Sequence, residues 1–148
     1  MESAMKMARQ YYMELSPKQN KRINFIAREG SYHGTTLGSL AMSGHVARRS
    51  LFTDMLLPNV HRVSACNAYR GMKPGQTTEE YVAQLANELD RKFQEVGPET
   101  VCAFVAEPVV GAVCYSEHCL ECYLLTPTTD DRLCSCFSGL FSGYEEGL

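Results

Sequence analysis

From the first residues, the apolar side chains Ala4, Ala8, Tyr11, Tyr12 and Leu15 recur at helical spacing, which predicts a helix over roughly residues 1–15. Ser16-Pro17 stops it, because proline disfavours a helical residue before it. Met1 is already in the pattern, so the helix is expected to begin without a residue that caps its first amides. After the polar connector Pro17 to Lys21, the β-branched and aromatic run Ile23-Asn24-Phe25-Ile26-Ala27 reads as a short strand. A turn-rich stretch, Glu29 to Gly34, leads into a small-residue helix from Thr35 to Met42 that Ser43-Gly44 ends. Val60-His61-Arg62-Val63 predicts a second strand after Pro58, and Ala65 to Gly75 reads as a loop. The strongest local signal comes next. Thr77 and Glu80 form a capping box, Val82, Leu85, Leu89, Phe93 and Val96 fall on one helical stripe, and Gly97-Pro98 closes the helix. Val101 to Ala106 is then a continuous apolar run of strand length, the pattern of a strand covered on both faces of a parallel sheet.

Strand and helix alternate in this way through residues 1–113, which predicts an α/β layer fold with ligands collecting at the carboxyl ends of the strands. Glu107 stands at one such end. A carboxylate placed directly after a buried strand, with Pro108 stiffening the exit, costs desolvation unless a cation or hydrogen-bond donors meet it.

Composition changes the picture at about Val113. Residues 1–113 carry 13 Lys and Arg against 11 Asp and Glu, whereas residues 114–148 carry one Arg and six acids, together with five of the seven cysteines. The second segment has no sustained helical or strand period and is expected to be an irregular C-terminal tail. For the whole chain of 148 residues the formal net charge is −3 and the sequence pI about 5.8, which argues against a nucleic-acid partner. No apolar run approaches the ~18–20 residues that cross a bilayer, and the opening lacks the basic-then-apolar order of a signal peptide. The expectation is an intracellular, cytoplasmic protein without membrane contact. In the tail, Cys119-x2-Cys122 and Cys134-x-Cys136, with His118 and Cys114 nearby, could offer four ligands to zinc; adventitious thiols are the alternative and the one expected, so no metal site is assigned.

Two segments carry a family resemblance. Ser31-Tyr32-His33-Gly34-Thr35-Thr36-Leu37-Gly38-Ser39-Leu40 and Phe104-Val105-Ala106-Glu107-Pro108-Val109-Val110-Gly111 resemble motifs of the class III (omega) aminotransferases, in the family's order and at about its separation. The opening Met1 to Arg9 likewise resembles the family helix that follows a Gly-Ser phosphate-binding turn. The resemblance covers residues 1–113. It implies part of the large domain of a pyridoxal-phosphate transferase of fold type I, a mostly parallel sheet with flanking helices. It further implies pyridoxal 5'-phosphate as cofactor, an amine or amino acid as donor, a 2-oxo acid or aldehyde as acceptor, and a homodimer with active sites at the subunit interface.

By the same resemblance, Tyr32 matches the aromatic residue that stacks on the cofactor ring, with a core tyrosine as the alternative. Gly34 matches the glycine that lets the backbone approach closely, although a simple turn glycine looks the same. Glu107 matches the strand-end glutamate that helps hold the aspartate bound to the pyridine nitrogen; an ordinary ion pair is the alternative. His33 matches the motif without a role and is expected to be a satisfied structural histidine. Arg9, Arg48 and Arg49 are candidate phosphate cations, with solvated surface charge as the alternative.

The departures from the family pattern are as informative. The family's strand ending in Asp-Glu-Val has no counterpart, and none of the lysines Lys6, Lys18, Lys21, Lys73 and Lys92 lies in a segment like that of the lysine that binds the cofactor covalently. No catalytic residue is therefore assigned. The expectation is a fragment of a class III aminotransferase, inactive as a separate chain, derived from an internal slice of a transaminase gene with a tail read from an intron or a shifted frame. The alternatives are a non-catalytic dimerisation partner of a full-length transaminase and a zinc-binding module built on the tail.

Overall fold

The computed structural model describes residues 1–107 and residue 110. Three strands, β1 (Asn24–Arg28), β2 (Val60–Val63) and β3 (Val101–Val105), form a parallel sheet in the order β2-β1-β3. Phe25 pairs with Val60 on one side and with Ala103 on the other, with an irregularity in the β1–β3 register between Asn24 and Phe25. As the central strand, β1 buries Phe25, Ile26 and Ala27 in succession, as a strand covered on both faces must. The covered-strand pattern read for Val101 to Ala106 holds only at its start. Val101 and Cys102 are buried, while Ala103, Phe104 and Val105 are half-buried, because β3 has a neighbour on one side only among the described residues.

Helix α1 (Glu2–Glu14) lays Met5, Ala8 and Tyr12 on the core formed by Phe25, Ala27, Met42 and Cys102. Its half-buried stripe runs one position away from part of the expected one. Tyr11 is 60% exposed and meets Tyr12 edge-on, while Tyr12 carries the Arg22 guanidinium over its ring at 4.4 Å. Met1 caps α1 without any side-chain bond, as expected. Arg22 donates to the carbonyls of Pro98 and Val101 at 3.0 and 2.7 Å, and Arg9 to that of Arg22 at 2.7 Å, which fastens the connector to the start of β3. Arg9 is thus engaged by backbone carbonyls.

Helix α5 (Thr78–Val96) matches its sequence signals at both ends. Thr77 accepts from the Glu80 amide while Glu80 accepts from the Thr77 amide, and Gly97, at φ +94°, donates to the Phe93 carbonyl. Its largest buried side chain, Tyr81, lies outside the expected stripe. The Tyr81 hydroxyl bonds to the backbone of Ala65 and Asn67, and a Cβ on Gly71 would stand 2.3 Å from it. The segment read as a loop therefore holds a one-turn helix, α4 (Ala68–Gly71), whose cap Asn67 accepts from the Arg70 amide.

Helix α2 (Leu37–Met42) ends where Ser43-Gly44 predicts, for a different reason than a left-handed cap. Gly44 packs against backbone: an added Cβ would lie 2.5 Å from the Gly30 nitrogen and 2.7 Å from the Arg28 oxygen. Arg62 of β2 reaches back to the carbonyls of Ala41, Met42 and Ser43, and Arg49 also donates to Ser43, so two guanidinium groups satisfy the last carbonyls of α2. Beyond it, α3 (Val46–Arg49) and a 3-10 turn (Ser50–Met55) carry no apolar stripe to read, since Val46 and Leu51 are 80% and 86% exposed. No helix among the described residues is long and apolar enough to cross a membrane.

Candidate functional site

The site lies where β1 and β3 end side by side. Because the two strands are parallel neighbours, the residues leaving their carboxyl ends emerge on one edge of the sheet, although they are far apart in sequence. After β1 the chain turns at Gly30, with φ +63°, and buried Ser31 donates its hydroxyl to the Arg28 carbonyl at 2.7 Å. The next amide, that of Tyr32, donates to the Glu107 Oε1 at 2.6 Å. Glu107 makes no ion pair among the described residues; a backbone donor meets the strand-end carboxylate instead.

The Tyr32 ring is half-buried, and the Arg48 guanidinium lies over it at 4.8 Å from the ring centre. His33 is held by its amide, which donates to the Ser43 Oγ at 2.8 Å, while Ser43 donates to the Ser39 carbonyl. Its ring departs from the expected satisfied histidine: the Nε2 is buried and has no hydrogen-bond partner among the described residues. Burial pushes the imidazole below its usual pKa, and the Glu107 charge pulls more weakly in the other direction.

Gly34 takes φ +127°, a conformation that only glycine adopts readily, and a Cβ there would stand 2.9 Å from that of Ser39. Its close neighbour in the structure is therefore the first turn of α2. That turn is tied to α1 by Glu2, whose carboxylate accepts the Gly38 amide at 2.7 Å and is held below the usual carboxylate range by the Thr36 hydroxyl and then the Gly38 amide.

Tyr32, Gly34 and Glu107 are thus brought to one edge of the sheet, while the five lysines make no hydrogen bond or ion pair with Tyr32 or Glu107 among the described residues. Sequence reasoning had no signal for Arg48 as a neighbour of Tyr32, since the contact depends on how α3 folds back. Among the described residues no group of three or more His, Cys, Asp and Glu side chains could hold a metal ion. The cysteine pairs considered for zinc lie outside the described residues.

An α/β layer whose two motif segments meet at the carboxyl ends of parallel strands has the arrangement in which open α/β sheets collect their ligands. The chain belongs to the class III aminotransferases: the family description "Aminotransferase class-III" matches residues 1–119. An aminotransferase of Gibberella zeae is 77% identical over 113 residues, covering 76% of this chain and 22% of that protein. Gamma-aminobutyrate transaminase 1, mitochondrial, of Oryza sativa subsp. indica is 42% identical over 102 residues, 69% of this chain and 19% of the relative. Among solved structures, the omega transaminase of Pseudomonas jessenii in complex with PMP superposes with a TM-score of 0.67 at 32% identity, over 74% of this chain and 24% of that one. The chain thus spans about a quarter or less of the length of these relatives.

Proposed function

We propose that residues 1–113 supply one wall of a pyridoxal phosphate pocket, bordered by Tyr32, Gly34 and Glu107, and that the chain by itself does not transfer amino groups. The observation that carries this reading is the 2.6 Å bond from the Tyr32 amide to Glu107, which ties the two motif segments together across the ends of β1 and β3. The residues present suit such a wall: a half-buried aromatic ring, a carboxylate fixed at a strand end, and a buried imidazole nitrogen at His33 that lacks a partner among the described residues.

When bound, the cofactor supplies the electron sink through which an amino group passes from an amine or amino acid to a 2-oxo acid or aldehyde. On this reading Tyr32 offers its ring to the cofactor, while Glu107 fixes the Tyr32 backbone and helps orient the aspartate that another part of the family fold provides. The lysine that anchors the cofactor and moves the proton has no counterpart among Lys6, Lys18, Lys21, Lys73 and Lys92. On this reading the sequence of residues 114–148 diverges from the family pattern, and the natural partner of residues 1–113 is a second subunit of the family dimer.

The test uses the full chain incubated with pyridoxal phosphate and reduced with borohydride. Peptide mapping is expected to find no single lysine carrying a stoichiometric pyridoxyl group, while the Tyr32 ring resonances shift with cofactor. One fully labelled lysine together with amino transfer to a 2-oxo acid overturns the inactivity, and unmoved Tyr32 resonances overturn the pocket.

A further inference from the structure

We propose that Arg48 is the oxyanion-receiving residue of this site, taking the carboxylate of an amino-acid substrate or the phosphate of the cofactor at the edge of the Tyr32 ring. The inference rests on the reading of Tyr32 as the ring platform of the pocket, and the observations behind it concern how the arginines are used. Arg9, Arg22, Arg49 and Arg62 all donate to backbone carbonyls and so hold the fold. Arg48, next to Arg49 on the same short helix, points elsewhere: the residue is exposed, its guanidinium lies over the Tyr32 ring, and it makes no hydrogen bond or ion pair among the described residues.

That combination is informative because of the shape of the group. A guanidinium lying over an aromatic face is held by the ring while its donors project in its own plane, past the ring edge, in the fork that suits two oxygens of a carboxylate or phosphate. Because Arg48 takes one face of the ring, a flat cofactor stacking on Tyr32 would take the other. The neighbouring charges set the preference. Glu107 accepts the Tyr32 amide, burial disfavours the charged form of His33, and Arg48 is the one cation over the Tyr32 ring among the described residues. The residue therefore makes the site selective for donors that carry an acid group over plain amines, or adds a contact to the cofactor phosphate.

The two sources separate in one experiment. The Arg48 side-chain Nε–Hε resonance of the full 148-residue chain is followed by NMR during titration with inorganic phosphate and, separately, with succinate. Exposed Arg70, on α4 and outside the site, serves as the internal reference. The expected result is a saturable shift at Arg48 with at least one probe and only a weak, linear drift at Arg70. Saturation by phosphate alone assigns the residue to the cofactor, saturation by succinate alone to the substrate, and saturation by both to a shared oxyanion site. Arg48→Gln should weaken binding of the active probe about tenfold or more, measured calorimetrically, with Arg48→Lys intermediate because it keeps the charge and loses the planar fork. Arg48 resonances that move no more than those of Arg70 with both probes overturn the proposal, as does undiminished binding in Arg48→Gln. Pyridoxal, which lacks the phosphate, reports separately on the pocket: if it leaves the Tyr32 ring resonances unmoved while Arg48 still saturates, the vitamin B6 reading fails and the oxyanion site stands.

Discussion

The Glu2 carboxylate, in the first turn of α1, accepts the backbone amide of Gly38, in the first turn of α2, at 2.7 Å. One side chain therefore satisfies a helix-end donor 36 positions away and adds a negative charge where the amides of α2 converge. The carboxyl is held below its usual range by the Thr36 hydroxyl and then the Gly38 amide, so it binds a proton less readily folded than unfolded. Its stabilising effect is present above the unfolded pKa and is lost as pH falls through the folded one. Glu2→Gln should lower the melting temperature at pH 7 and flatten the acid limb of the stability profile. Equal melting temperatures for the two chains at pH 7 would show that the bond adds nothing.

His33 gives a second pH dependence with the same sign at a higher pH. Burial lowers its folded pKa below the ordinary value of about 6.5, so the unfolded chain takes up the proton first on acidification. The contribution is fully present above about pH 6.5 and disappears as pH drops through the folded value. Urea midpoints measured from pH 8 downward should fall more steeply below that point for the native chain than for His33→Gln. Parallel curves would contradict the burial of the imidazole nitrogen.

Gly34 and Ser39 form a pair that can be separated by a double-mutant cycle. Gly34→Ala should destabilise the chain through two independent effects, the positive φ, which costs about 1–3 kcal/mol, and the collision with Ser39. Adding Ser39→Gly should recover the collision and leave the backbone cost. Full recovery in the double variant would mean that the backbone conformation imposes no strain.

Cys102 should be an unreactive thiol. Burial pushes its pKa up, outweighing the nearby Arg9 and Arg22 charges, and its Sγ donates to the Arg22 carbonyl at 2.8 Å. Iodoacetamide at pH 8 should label Cys102 far more slowly in the native chain than in urea, read by peptide mass mapping. Native labelling at the urea rate would place the thiol in solvent instead of under α1.

Much of this structure is legible in the sequence, for a physical reason that also marks where legibility stops. The capping box at Thr77, the end of α5 at Gly97 and the positions of β1, β2 and β3 follow from signals spanning a few residues, because period, cap and turn chemistry are local. Elements without such signals were not legible. The single turn of α4 depends on Asn67 and on room for the Tyr81 hydroxyl beside Gly71, and α3 exposes Val46 and so has no hydrophobic face to announce it.

The same division runs through the site. Residue types and order alone single out Tyr32, Gly34 and Glu107 and the family to which the chain belongs. That the Tyr32 amide meets Glu107, that Gly34 yields to Ser39, and that Arg48 covers the Tyr32 ring were decided only by the tertiary structure. Those contacts follow from the parallel pairing of β1 with β3 and the packing of α3 against the end of α2. A local pattern of residues fixes each element, but the partner each element finds is set by the packing of all of them together.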